Sequence, residues 1–363
     1  MRQDILTRSV KIIALIVLLT YFLFHAKPFL VPVVFGALFS MLLTPVATKL
    51  EEWKIPRALS VILSILLLLA IAAIIIYVLV MQISDLSKNA SNIEQNVNEK
   101  IHQVREFFAN SLGISQEKQN EILKKQQQST DNKITSILMG IMASAGKALT
   151  NIVLVLVYIF VFMYFRMHLK NFVLKVVAKS DQENTKVIMH DARKVTQKYL
   201  TGLALMIISL WIMYSIGFSI LGVKNAVFFA ILCGLLEIVP FVGNLTGNAI
   251  TILWSLSQGA SMNMVLGILI VYACVQFFQT YILEPIVVGK EVNIHPVFTI
   301  LGIVAGELIW GISGMILAIP LMGITKIICD HVEPLKPYGY LLGEEPTSKK
   351  SIIDKIKKAV KKI

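Results

Sequence analysis

From Ile238 to Leu283 the chain runs 46 residues without one charged side chain. A water-soluble surface cannot be built from such a run, since soluble domains carry about 25% charged residues. A bilayer accommodates it, because one helical crossing needs about 20 mostly apolar residues. The run is twice that length, and Ser257–Ser261 (Ser-Gln-Gly-Ala-Ser) divides it. Similar stretches precede it at Ile12–Ala26, Pro28–Thr48, Ala58–Ser84, Ala148–Phe165, Tyr199–Val223 and Asn225–Leu236, and others follow at Val292–Gly306 and Leu308–Thr325. With 56% hydrophobic and 15% charged residues in 363, composition agrees. It excludes soluble, disordered and disulfide-built classes alike.

These stretches predict an all-α integral membrane protein with about eight transmembrane helices, some broken or hairpin-like. The spans fall near 10–26, 28–48, 58–82, 147–166, 200–222, 225–256, 262–284 and 296–326. Six segments follow: spans one to three over 1–84, a helical insertion over 85–147, and span four over 148–166. After these come an amphipathic segment over 167–199, a core of spans five to eight over 200–326 and a basic tail over 327–363. Arg8 and Lys11 lead into the first apolar run without a small-residue cleavage site, which reads as a retained span rather than a signal peptide.

Charge placement orients these spans. With the amino terminus inside, segments 1–11, 49–57, 166–198 and 326–363 hold 23 Lys/Arg against 11 acids, while 85–147 holds 8 against 7. Lys and Arg concentrate on the cytoplasmic side, so the expectation is a multi-pass protein of the bacterial cytoplasmic membrane with both termini cytoplasmic. The net charge of +12 is then an orientation signal rather than a nucleic-acid footprint. Aromatic stacking platforms are missing beside the lysines, so no nucleic-acid partner is expected.

Two soluble segments and the tail carry amphipathic patterns. Ile83, Leu86, Ala90, Ile93, Val97, Ile101, Val104 and Phe108 form one helical stripe running out of span three, and Asp131 is a candidate N-cap for a second helix. That arm packs on the membrane or a neighbouring subunit, or folds on itself. Phe172, Val173, Val176 and Val177 interleave with Lys170, Lys175 and Lys179, as do the isoleucines and seven lysines of Lys349–Ile363. Cationic amphipathic helices of this kind lie among anionic lipid headgroups. A solvated basic tail is the alternative.

No Walker-type loop, HExxH, GxSxG or CxxC occurs, and the six histidines lack metal-ligand spacing. Enzyme chemistry, a cofactor and a metal are therefore not expected. Cys233, Cys274 and Cys329 read as small packing residues. The informative groups are the polar ones at membrane depth. Glu237, Glu284 and Glu307 interrupt otherwise uncharged spans, and such carboxylates face a cavity or a partner. Glu237 precedes Pro240 and Gly243, while Glu284 precedes Pro285 and Gly289. Proline frees backbone groups that are tolerated only beside protein or water, and paired helix breaks of this kind point to a transport site. Asn244, Thr246, Asn248 and Thr251 follow the first break. Gln276, Gln279 and Thr280 share one helix face before the second. They line a path for a polar solute, coordinate a cation, or hold the bundle together by interhelical hydrogen bonds. Glu307, among Gly302, Gly306, Gly311 and Gly314, is either a coupling carboxylate or an interfacial residue of a hairpin.

Pro-Phe-Val-Gly-Asn at 240–244, Tyr-Ile-Leu-Glu-Pro-Ile-Val-Val-Gly-Lys at 281–290 with His295-Pro296, and the glycine-rich stretch from Gly302 to Leu321 together resemble the autoinducer-2 exporter family of bacterial membrane proteins. The family's Pro-x-x-Gly falls on Pro240 and Gly243, and its Glu-Pro element on Glu284 and Pro285. The resemblance implies a secondary transporter assembled as a homo-oligomer, with a pentamer as the expected size. Family members have been assigned to autoinducer-2 export and to sodium or lithium exchange for protons. No Asp-rich set lies within these spans, so a cation site here rests on the glutamates and backbone carbonyls.

Two transport readings and one outside transport follow. The first exports a small polar solute of the autoinducer-2 type by alternating access. The second is a Na⁺(Li⁺)/H⁺ antiporter using an intramembrane glutamate, and the third is a membrane scaffold, against which the helix breaks argue.

Overall fold

The computed structural model describes residues 2–87, 150–239, 242–288 and 294–344. Most of the 85–147 insertion and the Lys349–Ile363 tail lie outside the described residues. What is described is helical, apart from an isolated bridge between Ile294 and Gly343.

The helices are α1 (Arg2–His25), α2 (Lys27–Glu52), α3 (Arg57–Ser87), α4 (Thr150–Tyr164), α5 (Arg166–Val176) and α6 (Gln182–Ile220). They continue as α7 (Ala226–Leu236), α8 (Val242–Ser257), α9 (Met262–Phe278), α10 (Pro296–Trp310), α11 (Ile312–His331) and α12 (Lys336–Leu342). A π-helical segment, Gln279–Val288, extends α9. Among the described residues five apolar helices have spanning length, and the bent pair α4–α5 supplies a sixth. Reaching eight requires counting α1 and the α7–α8 segment as crossings as well. The 39 residues of α6 would measure about 58 Å, nearly twice the hydrocarbon thickness. Its polar first half, Gln182–Lys198, accounts for the excess.

Two of the expected spans fold back on themselves, in keeping with the expectation that some helices are broken or hairpin-like. In α7 and α8 the close pairs are Leu236 with Gly243, Cys233 with Gly247 and Phe229 with Trp254. Residue numbers fall on one side as they rise on the other, which is the pattern of an antiparallel hairpin. A Cβ on Gly243 would stand 1.7 Å from the Leu236 carbonyl oxygen, so only glycine permits this closure. The single span expected over 225–256 is therefore a broken one. The stretch expected as 296–326 is a second hairpin, α10–α11, turning at Gly311 (φ +65°). There a Cβ on Gly314 would lie 1.9 Å from the Gly306 carbonyl oxygen.

Two compact units result. The first comprises Met1–Ile62, Tyr158–Leu205 and Glu284–Ile363. Its core packs Leu38, Trp310 and Leu317 together, and the Trp310 indole donates to the Leu23 carbonyl at 2.9 Å. The second comprises Leu63–Val157 and Met206–Leu283, with Tyr214, Phe218, Phe229 and Ile268 fully buried.

Two glycine substitutions separate crowding from backbone strain. Gly314→Val should cost about 1–3 kcal/mol or more, because the neighbouring turn cannot yield. Gly222→Ala meets no atom within 4 Å but sits at φ +72°, so it should cost about 1–2 kcal/mol. Thermal unfolding in detergent checks both, and an unchanged midpoint for Gly314→Val contradicts the hairpin.

Candidate intramembrane polar site

α8 is patterned opposite to a soluble helix. Asn244, Asn248, Thr251 and Ser255 recur at three- or four-residue spacing, and all four are buried. Hydrocarbon offers polar groups no partner, so the stripe must turn inward. The tight α7–α8 break directs it. Gly243 at the start of α8 lies against Leu236 at the end of α7, and the Gly243 amide donates to Val239 O at 3.0 Å.

Asn244 is the hub. Its Oδ1 accepts from the Tyr214 hydroxyl of α6 at 3.0 Å and from Asn248 Nδ2 at 3.0 Å. Its own Nδ2 donates to Gln276 Oε1 on α9, and Gln276 passes a hydrogen bond to Thr280 Oγ1 at 3.3 Å. Asn248 Nδ2 also donates to the Tyr214 oxygen at 3.2 Å. One turn below Thr280's partner, Gln279 is 2% exposed and donates to Glu237 Oε1 at 2.8 Å. Three helices and the end of α7 thus converge within one unit on a set of amides and hydroxyls with a single carboxylate. Beside it, Thr251 donates to Gly247 O, and Cys233 Sγ lies 3.8 Å from Thr251 Oγ1.

Two amide oxygens in this set stand out, and Ser255 Oγ further along the stripe is likewise without a partner among the described residues. Asn248 Oδ1 and Gln279 Oε1 are buried and accept from no donor among the described residues. Orphaned buried acceptors cost about 1–3 kcal/mol each and persist where something else supplies the donor. Both are acceptors, so the group that would complete them is an O–H, an N–H or a cation.

The residues expected from sequence separate into three groups. Glu237, Gly243, Asn244, Asn248, Gln276, Gln279 and Thr280 come together here. Glu284 and Pro285 belong to the other unit, on the π-helical segment, with Glu284 exposed. Such segments recur at functional sites. Glu307 is exposed on α10 beside the Gly306–Gly314 closure. Pro240 and Gly289 lie outside the described residues. Thr246 turns away from the stripe, is exposed and donates to Val242 O. Sequence reasoning missed Tyr214 and Ser255. Tyr214 carried a signal, since a tyrosine hydroxyl inside an apolar span needs a partner.

The AI-2E family transporter profile matches residues 12–333. Among relatives named "Putative transport protein", YrrI of Bacillus subtilis is 24% identical, covering 88% of this chain and 94% of its own. YueF of the same organism is 25% identical over 84% and 86%. MJ1177 of Methanocaldococcus jannaschii is 27% identical over 84% and 89%.

Tyr214→Phe removes the donor to Asn244 and an acceptor of Asn248. A cycle with Asn248→Ala should give a coupling of about 0.6–1.7 kcal/mol, the range of interhelical hydrogen bonds in membranes. Additive unfolding free energies would contradict a shared network.

Proposed function

The chain belongs to the AI-2E transporter family, and from that premise we propose that it is a secondary transporter for a small polar solute of the autoinducer-2 type, moved by alternating access. The observation that carries the reading is the pair of orphaned acceptors, Asn248 Oδ1 and Gln279 Oε1, in a buried amide and hydroxyl network. A polyhydroxylated solute supplies the missing donors, and Asn244, Gln276 and Tyr214 exchange their mutual hydrogen bonds for bonds to it. Such an exchange keeps the desolvation cost of entry low, because each polar group trades one partner for another. The break between α7 and α8 gives the backbone freedom for this part of the bundle to move.

A second reading rests on Glu237. It is the one carboxylate in the set, and Gln279 Nε2 orients it. With the same amide oxygens as neighbours, it suits a monovalent cation competing with a proton, which is antiport. Glu284 and Glu307 are exposed in the chain and support that reading less. In either case we place the protein in the cytoplasmic membrane with both termini inside, as a homo-oligomer.

Proteoliposomes containing a pH-sensitive dye distinguish the two. For solute transport, labelled autoinducer-2 crosses faster than in empty vesicles, Asn244→Ala slows it about tenfold, a loss worth about 1.4 kcal/mol, and Glu237→Gln keeps most of the rate. For antiport, Na⁺ or Li⁺ drives proton movement that Glu237→Gln abolishes. Neither flux in a folded protein would overturn both.

A further inference from the structure

In the first unit, a cluster of charged side chains lies where several helices end together. Glu51 is in the last turn of α2, Arg57 opens α3 and Arg166 opens α5. Arg166 Nη2 bonds Glu51 Oε2, and Arg57 Nε stands 4.0 Å from Glu51 Oε1. Arg193 of α6 is close enough to Arg166 for their charges to repel. Glu51 thus pairs with two guanidinium groups while a third, Arg193, acts by charge on Arg166, so these four side chains carry a net charge of +2. Arg57 Nε, Arg57 Nη2 and Arg166 Nη1 are buried and donate to no acceptor among the described residues, against one oxygen without a donor, Glu51 Oε1, which stands across from Arg57 Nε. An ion-pair cluster that served only to pin these helix ends would balance its charge. It would not crowd surplus cations together while leaving their donors unused.

The position of the cluster selects the missing acceptor. Arg166 sits at the corner where apolar α4 ends and α5 turns away by 70°. α5 exposes Met167, Phe172 and Val176 alongside Lys170 and Lys175, which suits a helix lying along the bilayer surface. Glu51 and Arg57 likewise bracket the short link between two helices of spanning length. The guanidinium groups are therefore at headgroup level. Guanidinium binds phosphate oxygens by paired N–H bonds that a lysine cannot reproduce.

We infer that Arg57, Arg166 and Arg193 form a binding site for a phosphate group at the inner membrane surface, with the headgroup of an anionic phospholipid as its natural source. Glu51 positions Arg166 and competes with the phosphate for it. The site is separate from the transported solute and holds whichever solute the protein carries.

Native mass spectrometry of the detergent-purified full chain, with added phosphatidylglycerol or phosphatidylcholine, reads the site. Salt at about 0.3 M screens diffuse attraction to surface lysines. The expected result is one retained phosphatidylglycerol per chain, bound at least tenfold more tightly than phosphatidylcholine. Arg57→Gln with Arg193→Gln, which leaves the Arg166–Glu51 bond in place, should bring that preference to within twofold. Glu51→Gln should strengthen binding, whereas loss of a purely structural ion pair would only destabilise the fold. Competition by millimolar inorganic phosphate would show that the site takes the bare group, and its failure to compete would assign the lipid as the source. No preference in the wild type, or a preference unchanged in the double variant, overturns the inference.

Discussion

Nothing in the hydrocarbon core can hydrogen-bond a stray polar group, and the structure is organised around that fact. The tight closure of Gly243 on Leu236 is where the constraint becomes local. Breaking a helix in hydrocarbon exposes backbone groups, so the chain compensates at once. The amides of Glu237, Ile238 and Val239 bond back to Cys233, Leu235 and Leu236, while α8 turns its polar stripe toward Tyr214 and Gln276. The same closure that satisfies the break also concentrates amides and hydroxyls in one place. Helix geometry and the candidate site are two consequences of one glycine-dependent contact.

Much of this was legible in the sequence because membrane spans are read by length and charge alone. The apolar runs located the helices, and Ser257–Ser261 marked the α8–α9 turn, where Ser261 accepts from the Met264 amide. Asn244, Asn248, Gln276 and Gln279 were visible as polar residues where none belongs. Hairpins were less legible, since hydropathy measures how apolar a run is but not whether it reverses. The reversals lie in glycine packing, Gly243 against Leu236 and Gly306 against Gly314, and that depends on three-dimensional approach. Tyr214 escaped because a single tyrosine among apolar residues more often packs through its ring than anchors a network.

The two polar clusters solve opposite problems. In the network around Asn244, oxygen acceptors lack donors, within a set bearing one carboxylate. In the cluster around Arg166, three nitrogen donors lack acceptors against one oxygen, Glu51 Oε1, without a donor, and positive charge is in excess. Each deficit specifies the chemistry of what would complete it. A hydroxyl-bearing solute or a cation suits the first, and an anion suits the second. Folding alone explains neither, because a chain selected only for stability would fill such positions with apolar side chains.

That contrast makes the central claim measurable in one comparison. Asn248→Leu with Gln279→Met replaces both orphaned acceptors by apolar groups of similar size. If the acceptors are held for a ligand, the folded double variant loses solute binding at least tenfold, measured calorimetrically with autoinducer-2, while its unfolding midpoint falls only by what the bonds donated to Tyr214, Asn244 and Glu237 contribute. Unchanged binding in a folded variant would contradict the account.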